Sequence, residues 1–438
     1  MTALSMTNGI RAENIMRAAL AACLFVCITS SILYAQLAFS EATTPLAGEA
    51  FETEVFGKQV EVPARDRRHV KAVDFGIQWI PNGPSQLEVL PFGAFFLWDN
   101  QDTRRFRGTF SGVYNDLRYN IGSKWWHGWE VVFTFTNLIV PFGRSEYVEG
   151  QRISDVEVQW NSVSAGFGIG YRKNIPPGHQ DSAIEIALTY EPGYSWFAHS
   201  SDSSPRFIVP TDTYDGRVHF RLRTDALDRN VMELLHRGFA FGGDVFYGHR
   251  ANWQQWGGVA FDPPDVHKER DYLSASAYAV AAGGVPFVSS ERHRLIGSLY
   301  GGLGKNLDRF SAFRLPGRPT GSEWEALSQP MLPGVAFMEL FPRRYAIADL
   351  TYQYEALFFL YPYIRGTYAS VERPRFADNG TIKMQMDSLP GLGGGVVSAA
   401  PWSSQVDLNY TYNFGVFRDR GGPKLGGHGI IISWSKEF

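Results

Sequence analysis

Apolar and polar side chains alternate along most of the chain. In SQVDLNYTYNF (404–414), Leu408 and Tyr410 lie on one side of the backbone, and Asp407 and Asn409 lie on the other. A period of two residues is typical of a β-strand whose two faces meet different surroundings. Stretches rich in Gly, Pro, Asp and Ser separate these segments and predict turns. The pattern therefore predicts an all-β fold built from many similar strands.

Fifteen segments show the alternation clearly. They are 73–80, 87–98, 104–120, 125–137, 157–172, 182–191, 215–224, 238–249, 271–281, 293–303, 345–356, 361–371, 391–400, 404–414 and 428–438. Bacterial membrane barrels have an even number of strands. We therefore expect about sixteen, with the missing strand in 142–156 or 331–341. No run of 18 apolar residues recurs after the amino-terminal segment, which excludes a helical membrane bundle.

A soluble β-sandwich alternates in the same way, so other features have to distinguish the two. The polar face often carries full charges, as at Arg217, Arg221 and Arg223, and aromatic residues such as Tyr412 and Phe414 gather at segment ends. An unpaired backbone amide in hydrocarbon costs several kcal/mol, so strands can cross a bilayer only in a closed sheet. We predict a transmembrane antiparallel β-barrel with a lipid-facing exterior and a charged, water-filled lumen.

The amino-terminal residues predict an export signal. Arg11 and Arg17 precede a charge-free, largely apolar stretch at 18–40, and the small-residue pattern at 38–40 permits cleavage before Glu41. A single membrane-spanning anchor is the alternative. Export agrees with the barrel interpretation, and we therefore favour the signal peptide.

We divide the chain into a signal peptide (1–40), a short periplasmic lead (41–70) and an outer-membrane barrel (71–438). Both cysteines, Cys23 and Cys27, lie in the signal peptide. The exported chain would then contain no disulfide, thiolate metal site or cysteine nucleophile. A formal net charge of −3 gives no indication of nucleic-acid binding.

Motifs for catalysis are not found. The sequence contains no Gly-x-Ser-x-Gly elbow, phosphate-binding Gly-Lys loop or His-Glu-x-x-His motif, and we predict no enzyme activity, cofactor or metal. GFGIG (166–170) is similar to a dinucleotide fingerprint, but glycines that alternate within a strand are better explained as room for neighbouring aromatic rings. WWHGW (125–129) is either a binding site or part of an interfacial aromatic girdle, and we favour the girdle.

One strand carries an unusual set of charges. The predicted lumen-facing ladder comprises Arg217, His219, Arg221 and Arg223, with the acidic candidates Asp349, Glu355 and Asp407. The basic residues either form an anion-attracting wall inside a pore or pair with the acids and lock the barrel. We favour the structural ladder.

Three stretches of the second half resemble a known family. They are RTDALDRN with HRGFAFGGDVFYG (223–248), RHRLIGSLYGGLGKNLDRFSAFRLPGRPTG (292–321), and PGLGGGVVSAAPWSSQVDLNYTYNF (390–414) with the final IIISWSKEF. They are similar to the Asp-rich turn and Gly-aromatic strand, the long inserted loop, and the last three strands of the BamA/TamA superfamily, the bacterial surface antigen family. The resemblance covers roughly residues 215–438.

The resemblance implies a loop at about 305–330 that folds into the lumen. The family has an Arg-Gly-aromatic tip there, whereas this loop reads FRLPGRPTGSE. Arg314 or Arg318, with Gly317 between them, would replace the lumen-buried arginine of the family. The lead is too short for a periplasmic POTRA module, so we expect a barrel without these modules.

The carboxyl-terminal strand resembles the targeting signal of Gram-negative outer-membrane barrels. Its residues for this role are Ile430, Ile432, Trp434 and Phe438. We expect 428–438 to meet 73–80 at a seam that opens sideways while the inserted loop steadies the closed state.

The resemblance implies an integral protein in the outer membrane of a Gram-negative bacterium, after cleavage of the signal. Its expected role is to assist insertion or translocation of proteins. The partners would be the lipid bilayer and client outer-membrane or secreted proteins, or the barrel assembly machinery. A passive channel for small solutes is the alternative.

Overall fold

The computed structural model describes residues 44–84, 86–176, 182–253, 256–259, 261, 269–317, 327–377, 382–418 and 424–438. In chain order the strands are β1 (Phe51–Val55), β2 (Lys58–Val62), β3 (His69–Trp79), β4 (Val89–Gln101), β5 (Arg104–Phe110), β6 (Tyr114–Gly122), β7 (Trp129–Leu138), β8 (Arg144–Val148), β9 (Gln151–Asn174), β10 (Ala183–His199), β11 (Thr213–Arg229), β12 (Leu235–Arg250), β13 (Asp271–Gly284), β14 (His293–Lys305), β15 (Arg344–Tyr354), β16 (Leu360–Phe376), β17 (Ile382–Ala400), β18 (Ser404–Arg418) and β19 (Lys424–Glu437). None of the described residues belongs to a helix long and apolar enough to cross a membrane.

Sixteen of the described strands, β3 to β7 and β9 to β19, form one closed antiparallel sheet. Each pairs with its neighbour in the chain, and β19 returns to pair with β3. The predicted fold class, an all-β transmembrane barrel of sixteen strands, is confirmed. We call the end of the barrel where β3 begins and β19 ends the terminal end, and the other end the loop end.

The sixteenth strand does not come from the expected places. The segment 104–120 contains two strands, β5 and β6, joined by a tight turn in which Ser111 N donates to Tyr114 O over 3.0 Å and Gly112 has a φ of +80°. The expectation that the missing strand lay in 142–156 or 331–341 was wrong. The apolar positions change phase across this turn, from the even positions Phe106 and Phe110 to the odd positions Leu117 and Tyr119, and this change of phase is the sequence signal for two strands.

Residues near 142–156 nevertheless form additional sheet structure. Strand β9 is 24 residues long; its second half pairs with β7, and its first half pairs with the short strand β8. Strand β8 therefore lies beyond the barrel wall, in a hairpin that projects at the loop end.

The two faces of the barrel strands have opposite chemistry. On β18, Leu408 and Tyr410 are 50% and 48% exposed, whereas Asn409 and Asn413 are 4% and 0% exposed and point inward. The same alternation runs through the other strands, so that the exterior of the barrel is covered with apolar side chains. A continuous apolar surface of this extent is unfavourable in water but is matched by lipid acyl chains.

The glycines of GFGIG have a different role from the expected one. Gly166, Gly168 and Gly170 belong to the inward face of β9, while Phe167 and Ile169 are exposed on the outside. A Cβ atom at Gly168 would lie 2.0 Å from the Leu188 carbonyl oxygen. These glycines therefore permit close approach of the neighbouring strand, and the expectation that they make room for aromatic rings was wrong.

We predict that a charge introduced on the outer face lowers the free energy of unfolding by an amount that depends on its depth in the membrane. Leu408→Arg should destabilise the barrel by about 2–4 kcal/mol, because the guanidinium would lie near the bilayer midplane. Leu425→Arg, near the loop-end start of β19, should cost about 0–1 kcal/mol. Urea unfolding in lipid vesicles measures both values, and equal destabilisation by the two variants would contradict this placement of the membrane.

Candidate functional site: the strand seam and the inserted loop

The barrel closes between its first and last strands. Strands β3 and β19 pair over eight residues, from Ile430↔Trp79 to Glu437↔Ala72. On the lipid-facing side, Phe75 stacks on Trp434 across this seam, with 6.4 Å between ring centroids. The seam is not the shortest ladder, since β4–β5 and β5–β6 each pair over seven residues. Its ladder length therefore does not mark it as unusually weak.

A segment of the inserted loop covers the seam from inside. The chain between β14 and β15 returns into the lumen, and we call residues 334–339 the latch segment. Gly334 N donates to Thr411 Oγ1 over 2.9 Å, and the guanidinium of Arg418 donates to Gly334 O over 2.6 Å. Arg418 also forms a two-pronged ion pair with Glu339, at 2.7 and 3.0 Å. These bonds attach the latch segment to β18, on one side of the seam.

The other side of the seam is held by one side chain of β3. Gln78 Nε2 donates to Val335 O over 3.2 Å, and Phe337 N donates to Gln78 Oε1 over 2.8 Å. Strand β19 lies between β18 and β3. The latch segment thus crosses the last strand and is hydrogen-bonded to the strands on both sides of it.

Glycines make this crossing possible. Gly334 has a φ of +63°, and a Cβ atom there would lie 2.3 Å from the carbonyl oxygen of Gly427. Below it, β19 begins KLGGHG, which places Gly427 and Gly429 under the latch segment. Two backbones can approach this closely only where neither carries a side chain. The local sequence therefore allows the loop to rest directly on β19.

The structure corrects the sequence-based choice of loop residues. Arg314 does not reach the seam; both of its terminal nitrogens donate to Glu146 on β8, at 3.0 Å each. Gly317 N donates to Pro330 O over 3.1 Å, and Arg318 lies outside the described residues. The buried arginine at the seam is Arg418, which belongs to the barrel wall. The latch segment also lies beyond the expected range of 305–330, in a stretch that sequence reasoning considered as a missing strand.

The loop end is closed by an aromatic cap. Its buried core consists of Val156, Val158, Phe207, Trp253, Trp256 and Phe310. Arg309, 4% exposed, lies 4.8 Å from the Phe310 ring centroid and 5.2 Å from that of Phe207. The β8–β9 hairpin, the inserted loop and the neighbouring loops therefore pack together over the lumen.

Ion pairs tie the cap to the inserted loop. Asp308 accepts a hydrogen bond from Arg250 over 2.5 Å, and Glu146 pairs with Arg314. Burial acts to raise the pKa of both carboxyls, but the adjacent arginine charges outweigh it and hold each pKa below its ordinary value. The contribution of these two ion pairs to the free energy of unfolding is therefore complete above the ordinary carboxyl pKa. It is lost as the pH falls through the lower pKa of the folded state.

The lead crosses the terminal end. Arg65 forms ion pairs with Glu233, in the turn between β11 and β12, and with Glu437 at the end of β19. Arg67 also bonds to Glu233, at 2.9 and 2.7 Å. Because β12 and β19 lie far apart around the barrel, these contacts extend the lead and the β11–β12 turn across the mouth.

The start of the described lead is anchored at a third turn. Thr44 Oγ1 donates to Glu355 Oε2 over 2.5 Å, just after β15. Burial raises the pKa of the Glu355 carboxyl. Glu355, expected as an acid of the lumen ladder, therefore binds the lead instead.

The charged ladder lies in the lumen but has other partners than those expected. Arg217 lies 3.4 Å from Glu191, and His219 lies 2.8 Å from both Glu191 and Asp244. Arg223 lies 2.5 Å from Asp244. The pairing acids are on the adjacent strands β10 and β12, because neighbouring strands are only about 4.8 Å apart.

The predicted acids are occupied elsewhere. Asp407 accepts a hydrogen bond from the Tyr363 hydroxyl over 3.1 Å, and Asp349 accepts one from Thr367. Arg221 forms no ion pair within the described part of the chain, although Asp244 is its direct partner in the β11–β12 register. The expected pairing with Asp349, Glu355 and Asp407 was therefore wrong.

Comparison with solved structures finds similar barrels. BamA from Haemophilus ducreyi lacking POTRA domains 1–3 superposes with a TM-score of 0.51 at 10% identity, over 94% of this chain and 78% of that one. CdiB from Escherichia coli has a TM-score of 0.48 at 11% identity, over 90% and 68% of the two chains. No protein-family model and no curated protein matches the sequence. The chain forms a BamA-like barrel, and the likeness concerns the fold.

We predict that removing one partner of the buried latch ion pair releases the loop. Arg418→Met should destabilise the protein by about 3–5 kcal/mol, because the buried charge of Glu339, 4% exposed, would lose its ion-pair partner. The double variant Arg418→Met, Glu339→Gln should recover most of this loss, since it leaves no buried charge. Urea unfolding measures stability, and protease sensitivity of the loop reports its release. Equal stability of the single and double variants would contradict the latch.

Proposed function

We propose that this protein is an integral outer-membrane barrel that assists the insertion or translocation of other proteins through the β3–β19 seam. The observation that carries the proposal is the latch segment, which is bonded to β3 through Gln78 and to β18 through Thr411 and Arg418. A loop that bridges the closing strands controls whether they can separate. The BamA-like fold supports the same role.

An opened seam would offer two strand edges to a client. The backbone groups of β3 and β19 that now pair with each other would become unpaired, and such edges pair readily with another chain. In hydrocarbon each unpaired group costs several kcal/mol, so the open state is favourable only while a client strand occupies it. The client would thereby gain a template for its own backbone hydrogen bonds.

The seam can open only after bonds of the latch segment have broken. Separation of β3 from β19 has to break either the two hydrogen bonds of Gln78 or the bonds to Thr411 and Arg418. Each neutral hydrogen bond contributes about 0.5–1.5 kcal/mol, and bonds to a charged group contribute about 1.5–3 kcal/mol. The Gln78 side is therefore the weaker attachment, and we propose that it breaks first.

The proposal places the protein in the outer membrane of a Gram-negative bacterium after signal cleavage. Its clients would be outer-membrane or secreted proteins. The barrel assembly machinery would recognise the terminal strand, whose outer face carries Ile430, Ile432, Trp434 and Phe438. Exposure of Ile432 and Phe438, at 51% and 67%, supports this role because a recognition strand has to present its side chains.

A passive channel for small solutes is the alternative. The charged lumen is consistent with it, but the loop that enters the lumen, the cap at the loop end and the lead at the terminal end all obstruct a continuous path. We therefore expect no steady, ion-selective conductance when the wild-type protein is reconstituted in planar bilayers.

A disulfide across the seam tests the proposal. Val73 and Lys436 are direct partners in the β3–β19 register, and directly opposed residues lie within reach of a disulfide. Val73→Cys with Lys436→Cys should reduce the folding rate of an unfolded eight-stranded barrel, added to proteoliposomes, at least tenfold under oxidising conditions. Reductant should restore the rate.

The matched control locks a different ladder. Val396→Cys with Leu408→Cys joins direct partners of β17 and β18 and should leave client folding unchanged. Equal inhibition by both disulfides, or no acceleration by the reduced wild-type protein relative to empty vesicles, would contradict an insertion role at the seam. Steady ion-selective conductance unaffected by the seam disulfide would favour the channel.

A further inference from the structure

A polar cavity of about 480 Å³ opens near the loop-end termini of β13 to β16. Lys305 at the end of β14 and Arg344 at the start of β15 line it. Lys305 has the same orientation as Leu303, which is 54% exposed on the outer face, and Arg344 has the same orientation as Leu350, which is 57% exposed. The cavity therefore faces the outside of the barrel.

Three cations and three carboxylates line the cavity, but one of the carboxylates has its partner elsewhere. Arg343 and Arg344 share one carboxylate, that of Glu372, at 3.1 and 2.8 Å, while Lys305 forms no ion pair among the described residues. Asp308 is already paired with Arg250 below the cavity. Three cations thus face Glu372 and the nearby Glu269, which leaves one positive charge in excess.

The cations also retain free donor capacity. Their shared partner Glu372 is 3% exposed, whereas the side chains of Arg343 and Arg344 are 38% and 53% exposed. A guanidinium has five N–H donors, and Glu372 accepts only a part of them. Both arginines and Lys305 can therefore donate to a further anion in the cavity.

The position of the cavity relative to the membrane indicates which kind of anion it would bind. Leu273 and Leu303, the register partners of Lys305 and Arg344, are exposed beside the cavity, and Leu350 is exposed nearer the middle of the barrel. At the same level on the adjacent strand, the Tyr247 hydroxyl donates to Asp271 over 2.9 Å. Amphipathic residues of this kind gather where the hydrocarbon ends and the headgroups begin. The cavity therefore lies at headgroup depth, directly above the acyl chains.

We infer that this cavity binds the phosphorylated headgroup of an anionic lipid in the leaflet at the loop end. Arginine donors match phosphate oxygens in a two-pronged geometry, and a lysine adds a compact positive charge. The cavity is within the usual size range of small-molecule sites, about 300–1,000 Å³. The lipid tails would continue along the apolar outer face toward Leu350. The inference rests on the proposed outer-membrane location but not on an insertion role at the seam.

Substitution of two cations tests the site. In Lys305→Gln with Arg344→Gln, Arg343 is retained so that the buried Glu372 keeps an ion-pair partner. Native mass spectrometry of the detergent-solubilised full chain, titrated with diphosphorylated lipid A, should show one saturable site in the wild type and at least tenfold weaker binding in the variant. The control Arg104→Gln with Lys124→Gln removes the same charge from exposed positions at the terminal end and should bind as the wild type does.

Two further titrations separate the sources of phosphate. Dephosphorylated lipid A should bind at least tenfold more weakly than the phosphorylated form, and inorganic phosphate at millimolar concentration should not displace the lipid. Equal binding by the cavity variant and the control variant would overturn the site. Displacement by inorganic phosphate at the lipid's own concentration would overturn the assignment to a lipid and identify a simple anion site. Gel mobility with and without heating verifies that both variants fold.

Discussion

Backbone amides that lie in hydrocarbon have no water to bond with, and the architecture of this protein follows from their need for partners. Strands can satisfy them only by pairing on both edges, so β19 has to return to β3. Closure then gives every strand an outside and an inside, and the two-residue period of the sequence becomes a lipid-facing surface and a polar lumen. Any process that opens the seam has to supply new partners for the same amides, and this requirement connects the fold with the proposed insertion of client strands.

The inserted loop adds a second level of control to this closure. Polar groups of the latch segment form hydrogen bonds with β3 and β18. The glycines of β19 allow the backbone of the segment to cross this strand in direct contact with its backbone. The ion pair of Arg418 and Glu339 is almost completely buried, so both charges depend on each other. Cap and lead close the two ends of the lumen around this arrangement. The closed barrel is thus held by specific polar contacts in addition to its ladder of backbone hydrogen bonds.

The sequence predicted those features that depend on local periodicity. Alternation placed Asn409 and Leu408 on opposite faces of a strand, and the charged positions and the aromatic segment ends indicated which face meets lipid. The pairing of the two terminal segments was expected from the barrel resemblance. The turn at Gly112 was missed although the apolar positions shift there by one residue, from Phe106 and Phe110 to Leu117 and Tyr119. The partners of Arg217 and Arg223 were missed because an acid anywhere in the lumen satisfies the pattern, whereas only the register of β10 and β12 shows which acids lie opposite. The latch was missed because most contacts of its residues, GVAFME, use backbone groups that carry no sequence signature.

Hydrogen–deuterium exchange at the seam tests the central claim, that the latch keeps β3 and β19 together, most directly. In lipid nanodiscs, the amides of 430–437 in the wild type should exchange as slowly as those of β17. Gln78→Ala removes the two hydrogen bonds to the latch and should accelerate exchange at 430–437 by about tenfold, corresponding to about 1.4 kcal/mol, without changing exchange in β17. Unchanged exchange at 430–437 in Gln78→Ala would contradict the claim and would show that the backbone ladder holds the seam without help from the loop.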